Sequence, residues 1–134
     1  MERLTQIAAQ MPNRPGTLGR VARALAQEGV NIVAILAPEG RGTGILRIIP
    51  DDIERARRAF DRLRVSYTTE EVLSIQLKNE PGALASVAEE LGVAQITIEF
   101  LYATTDGRGR AERVILAVSD PDKAEAVLTK KGLD

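Results

Sequence analysis

The chain has 134 residues, 44% of them apolar and 28% charged, with a net charge of -1 and neither cysteine nor histidine. That length suits one ordinary domain or two small ones, and a half of this size makes only a thin core by itself. The missing residue types exclude disulfides, thiolate nucleophiles, imidazole bases and Cys/His zinc sites, and no cofactor or metal is expected.

Charge is spread unevenly: residues 1–66 carry 11 arginines against 7 acidic groups, and residues 67–134 carry 7 basic against 12 acidic. Opposed halves of this kind help to orient units or partners. The first residues lack the basic start and apolar core of a secretory signal, and no apolar run approaches membrane-spanning length. A cytoplasmic protein with no membrane partner is the expectation.

In chain order, residues 4–11 have the composition of a strand and end at Asn13-Arg14-Pro15-Gly16-Thr17-Leu18. Leu18, Val21, Ala22 and Leu25 then recur at helical spacing, with Gly29 as the stop. Residues 30–37 read as a β-branched strand, residues 38–44 as a hairpin connection and residues 45–49 as the returning strand. Asp51 or Asp52 is placed to cap the next helix, with Glu54 completing a capping box from Asp51. Ile53, Ala56, Ala59, Phe60 and Leu63 form its inward stripe, and residues 65–68 make a short fourth strand.

The order then repeats. A strand at 72–77 leads to Asn79-Glu80-Pro81-Gly82-Ala83-Leu84, and Leu84, Val87, Ala88 and Leu91 reproduce the first helix stripe at an offset of 66. The offset then falls to 64, which predicts a helix or exit turn two residues shorter and aligns Gln95 with Asn31. A strand at 95–103, a connection at 104–110, a strand at 111–118 and a helix opened by Ser119 with Asp122 follow. No fourth strand follows that helix, so a partner strand, a local rearrangement or a dimer contact is expected to cover the open edge.

The predicted class is α+β: two ferredoxin-like βαββαβ units, 1–69 and 70–134, the second lacking its last strand. In each, helices cover one sheet face and the other is wet or meets another layer. The nearly continuous apolar run from Val30 to Leu36 predicts a buried strand.

Both Pro-Gly turns open a helix, where unpaired backbone N–H groups and the positive end of the dipole suit a small anion. Asn13 and Asn79 add an amide donor and acceptor, and Gly16 and Gly82 permit close approach. The stretches around Gly40 and Gly107 lack a Walker lysine and sit between strands, which argues against nucleotide binding. Arg55, Arg58 and Arg62 share a helix side but are interrupted by Glu54 and Asp61, with few aromatics, so no nucleic-acid partner is expected. Glu99 and Asp106 have no evident mate, and Thr17 and Ser86 no nearby base, so catalysis is not expected. The enzymatic alternative is an acyl-phosphate hydrolase using Arg14 as a clamp and Asn31 to orient water. Glu80 at the position of Arg14 in the second unit argues against it.

The two runs, with Gly29-Val30-Asn31-Ile32 and Gln95-Ile96 at their helix exits, resemble the ACT domain, a small regulatory amino-acid-binding module. The whole chain looks like a stand-alone tandem ACT protein. The resemblance implies amino-acid binding between units by Asn13, Gly16, Thr17, Leu18 and Asn31, and by Asn79, Gly82, Ala83, Leu84 and Gln95. It also implies sheets joined side by side in a homodimer, and regulation of a separate protein. A ligand-free interaction scaffold is the other reading. Gln95 departs from the usual Asn, so two sites of different fit and a single working site both stay open.

Overall fold

The computed structural model describes residues 1–38, 42–104 and 111–133. Residues 39–41 and 105–110 of the expected hairpin connections, with Gly40, Gly107 and the carboxylate of Asp106, lie outside the described residues. Among the described residues the elements run β1 (Glu2–Asn13), α1 (Thr17–Gln27), β2 (Ile32–Leu36), β3 (Gly42–Pro50), α2 (Ile53–Leu63), β4 (Thr68–Lys78), α3 (Ala83–Val93), β5 (Ile98–Thr104), β6 (Ala111–Val118) and α4 (Pro121–Lys130). The α+β, ferredoxin-like expectation holds. None of these helices is long and apolar enough to cross a membrane.

The chain divides into two compact units, Thr5–Glu70 and Met1–Leu4 with Glu71–Asp134. In the first unit β1 and β2 both pair antiparallel with β3. Residues 68–70, the start of β4, take the fourth position beside β1. The expected separate strand at 65–68 is thus the beginning of one long strand. Glu70 is fixed there by Gln6 Nε2, which donates to its Oε1 at 2.9 Å, and by Arg47 Nε at 3.3 Å. Gln6 is wholly buried, and this bond gives its amide nitrogen a partner. Ile7, Leu25, Ile48, Ala56 and Phe60 fill the core under α1 and α2, and Phe60 meets Tyr67 with ring centroids 5.5 Å apart.

The second unit repeats the plan, with β4 and β5 antiparallel to β6 and Leu73, Ile75, Val87, Leu91, Leu116 and Leu128 inside. Its missing strand is supplied by a local rearrangement. Met1–Leu4 occupy the fourth position beside β4, and Met1 packs against the core. Arg3 holds the segment by donating to Asp122 Oδ1 and Glu125 Oε2, both at 2.8 Å, with Glu71 at 3.7 Å. The hydrogen bond to Asp122 raises the Arg3 guanidinium above its ordinary pKa against the opposing pull of desolvation.

Several expectations shift in detail. The capping residues are Asp52 and Asp120, which accept from the amides of Arg55 and Lys123. Asp51 and Ser119 instead accept from Asn31 N and Thr97 N at the starts of the neighbouring strands. The face away from the helices is not wet throughout, since Gln6 and Ile49 in the first unit and Val72, Ser74, Ile115 and Ala117 in the second are buried. Strand β2 is not the buried strand its composition suggests. It stands at the sheet edge, with Val33 and Ile35 each 40% exposed.

The repeat keeps its offset of 66 through the helix exit. Both helices have 11 residues. Val30 N bonds Leu25 O as Ile96 N bonds Leu91 O. The bulge between Ile32 and Ala34 recurs between Ile98 and Phe100. The counterpart of Asn31 is therefore Thr97, and Gln95 corresponds to Gly29. Both have positive φ, 61° at Gln95 and 72° at Gly29. Glycine takes that conformation freely, whereas an ordinary side chain is strained by about 1 kcal/mol or more. Gln95→Gly is therefore expected to stabilise the protein by roughly 0.5–1 kcal/mol in chemical denaturation, and an unchanged midpoint would refute the assignment.

Candidate functional site

In the first unit, β1 ends at Asn13 and the chain turns through Pro15 into Gly16, whose φ of 88° caps α1 without any side-chain hydrogen bond. The Thr17 amide bonds Arg14 O at 3.2 Å, while the amides of Leu18 and Gly19 have no backbone acceptor among the described residues. A Cβ built on Gly16 would meet nothing within 4 Å. The helix start therefore faces open space with its donors uncovered, the arrangement that suits an anion.

Beside it is a cavity of about 60 Å³. Its walls are Met11, Pro12, Leu18, Ala37, Pro38 and Leu46, with Asn13 and Thr17 as the polar positions. Asn13 Nδ2 donates to Pro38 O at 3.4 Å, which draws the end of the β2 segment over the cavity. Gly44 makes room for this. A Cβ there would lie 2.2 Å from Pro38 Cβ. Leu18 is 46% exposed, so the first residue of the expected inward helix stripe belongs to this site rather than to the core.

The second loop has the same backbone. Gly82 has φ 89°, no side chain caps α3, and a Cβ at Gly82 would also meet nothing. The space next to it is larger, about 340 Å³, and more polar. Gln76, Lys78, Glu80, Ala83 and Ser86 line it together with Leu133 after α4. Ser86 Oγ is bound to Gly82 O at 3.1 Å.

Thus Asn13, Gly16, Thr17 and Leu18 come together, as do Asn79, Gly82, Ala83 and Leu84 around the second turn. Asn31 does not join the first group. Gly42 pairs with Asn13, whereas Asn31 exchanges bonds with Asp51 at the other end of β3. At ~3.3 Å per residue those ends are about 30 Å apart. The reason is topological: β1 and β2 are parallel, so the start of β2 lies opposite the end of β1. Arg14 and Asn31 consequently cannot act together on one acyl phosphate within a unit. Gln95 is likewise a helix-exit residue, with its amide on Gly92 O. Sequence reading missed Met11, Ala37, Pro38, Gly44 and Leu46. As strand-end apolar residues and one hairpin glycine, they carry no signal separating a cavity wall from ordinary core.

A family profile described as an ACT domain pair matches residues 2–134. The chain belongs to the ACT domain pair family. A solved structure, protein BT0572 from Bacteroides thetaiotaomicron, is 30% identical, with a TM-score of 0.89 over 97% of this chain and 89% of that one. The ligand-free regulatory subunit of aspartate kinase from Thermus thermophilus is 19% identical, with a TM-score of 0.69 over 96% and 89%. The corresponding subunit from Thermus flavus is 19% identical, with a TM-score of 0.66 over 96% and 90%. At that identity these two ACT relatives share the fold alone. No curated protein matches the chain.

Proposed function

We propose that this ACT domain pair is a non-catalytic amino-acid sensor that regulates a separate protein in the cytoplasm. The observation that carries the reading is the repeated helix opening, left-handed at Gly16 and Gly82, capped by no side chain and bare where a Cβ would stand. An α-carboxylate would take the amides after each glycine, and the Asn13 or Asn79 side chain is close enough in sequence to meet the ammonium. A ligand that binds one arrangement better than another shifts the population toward it, which is the regulatory step. The regulatory subunits of aspartate kinase, with the same fold, support the regulatory part of this reading by analogy.

Titration with the twenty amino acids, by calorimetry and by thermal shift, tests it. A ligand at 100 times its Kd is expected to stabilise the protein by about 2.7 kcal/mol. Silence from all twenty would leave the ligand-free scaffold as the better account.

We also infer a homodimer paired through β2. That edge strand presents Val33 at its bulge and Ile35 beside it, whereas the equivalent bulge residue in β5 is Glu99. A charge on an edge discourages strand addition, and an apolar edge invites it. Sedimentation at micromolar concentration is expected to give two copies, and a Val33→Glu, Ile35→Glu double variant one. A wild-type monomer under those conditions rules the pairing out.

A further inference from the structure

The two loops share a backbone but not a chemistry. The cavity at the first is small and walled by Met11, Leu18, Pro38 and Leu46, while the space at the second carries Lys78 and Glu80. Resting on the reading of the first loop as an amino-acid site, we propose that this site selects short branched aliphatic side chains of about valine size, seated between Leu18 and Pro38.

Size sets the upper limit. One water requires about 10–15 Å³ by a comparable measure, so some 60 Å³ admits a group of a few heavy atoms and excludes an indole or a phenol. Polarity sets the other limit. A charged group at the end of a ligand side chain would be desolvated against these walls, because Met11, Pro12, Leu18, Ala37, Pro38 and Leu46 are all apolar. The second loop differs in its polar lining: Lys78 stands at the repeat position of Pro12, and Gln76, Glu80 and Ser86 line the space beside it. It takes a more polar ligand or none. The duplicated motif therefore encodes two unequal sites.

The test is calorimetric titration of the full chain with valine, isoleucine, alanine, phenylalanine, lysine and aspartate. Valine or isoleucine is expected to bind at least about tenfold more tightly than alanine, since missing methyl groups in an apolar pocket typically weaken binding by ~10–200-fold. Phenylalanine, lysine and aspartate are expected to bind at least as much more weakly. Tighter binding of any of these three overturns the proposal but keeps the amino-acid reading. Silence from all twenty amino acids overturns both. Leu18→Ala locates the site. Leu18 is half exposed, so the variant should keep its thermal midpoint while losing about tenfold in valine affinity. Unchanged valine affinity in that variant would put the ligand elsewhere and sink the assignment. Should Leu18→Ala unfold, Ala37→Leu, which fills the cavity, gives the same discrimination.

Discussion

Deleting residues 1–4 is expected to unfold the half of the protein most distant from them in sequence. Those residues are the fourth strand of the unit formed by Glu71–Asp134. Removing them strips β4 of a neighbour, takes Met1 from the core and leaves Glu71, Asp122 and Glu125 without their shared arginine. The ion pairs are exposed and add little by themselves. Lost strand bonds and buried apolar surface dominate, on the order of 3 kcal/mol together. For a unit this small that lowers the melting midpoint by roughly 10–20 °C. Hydrogen exchange locates the effect: amides of β4, β6 and α4 should lose protection while those of α1 and α2 keep theirs. Equal loss in both units, or none, would show that the segment does not serve as that strand. Residues 70–134 expressed alone should be poorly folded and recover when a peptide covering β1 is added.

The second large effect is expected at Gly16. Its φ of 88° is strained for any L side chain and a serious outlier for a β-branched one. Gly16→Val should therefore cost about 1–2 kcal/mol of stability. The built Cβ meets no protein atom, so no clash adds to this. It does enter the space where the carboxylate is proposed to sit, and affinity should fall by about 100-fold, the scale of losing a charge-assisted hydrogen bond or two. Gly16→Asn separates strain from obstruction, because asparagine tolerates the left-handed region. It should lose less stability than Gly16→Val and still lose affinity. Wild-type affinity in Gly16→Asn would mean that the ligand does not approach this backbone. The same pair of substitutions at Gly82 reports on the second loop.

The helices, both Pro-Gly turns and the duplication were legible because each rests on local signals: helical spacing, a φ that only glycine takes easily, and strong cap residues. Asp51 and Asp52 are adjacent and either can cap, so the spacing left the choice open, and the cap expected at Ser119 fell one position later, on Asp120. The helix exit was misread because Gln95 adopts the conformation that Gly29 takes in the first copy. A glutamine does not advertise a left-handed turn, and as a polar residue it passed for a partner of Asn31. The extra residues of the second copy instead fall between β5 and β6. Asp52 and Asp120 cap equivalent helices at an offset of 68.

The absent fourth strand could be inferred, but not what replaces it. Nothing in the run from Glu2 to Asn13 marks the point where its neighbours change. Burial of β2 failed for a different reason. An apolar run records that a strand is to be covered, without saying whether its own chain or another provides the cover. The cavity wall at the first site was invisible because it joins residues from four separate segments, each unremarkable alone.

The glutamate at the bulge of β5 also bears on stoichiometry. A chain with two sticky rims would add copies at both and grow into a ribbon. With Val33 on one rim and Glu99 on the other, each molecule has a single competent border, and a border that meets its own image is consumed by one contact. With the proposed pairing through β2, one carboxylate would set a ceiling of two on the assembly, and replacing it by valine would open the route to fibres.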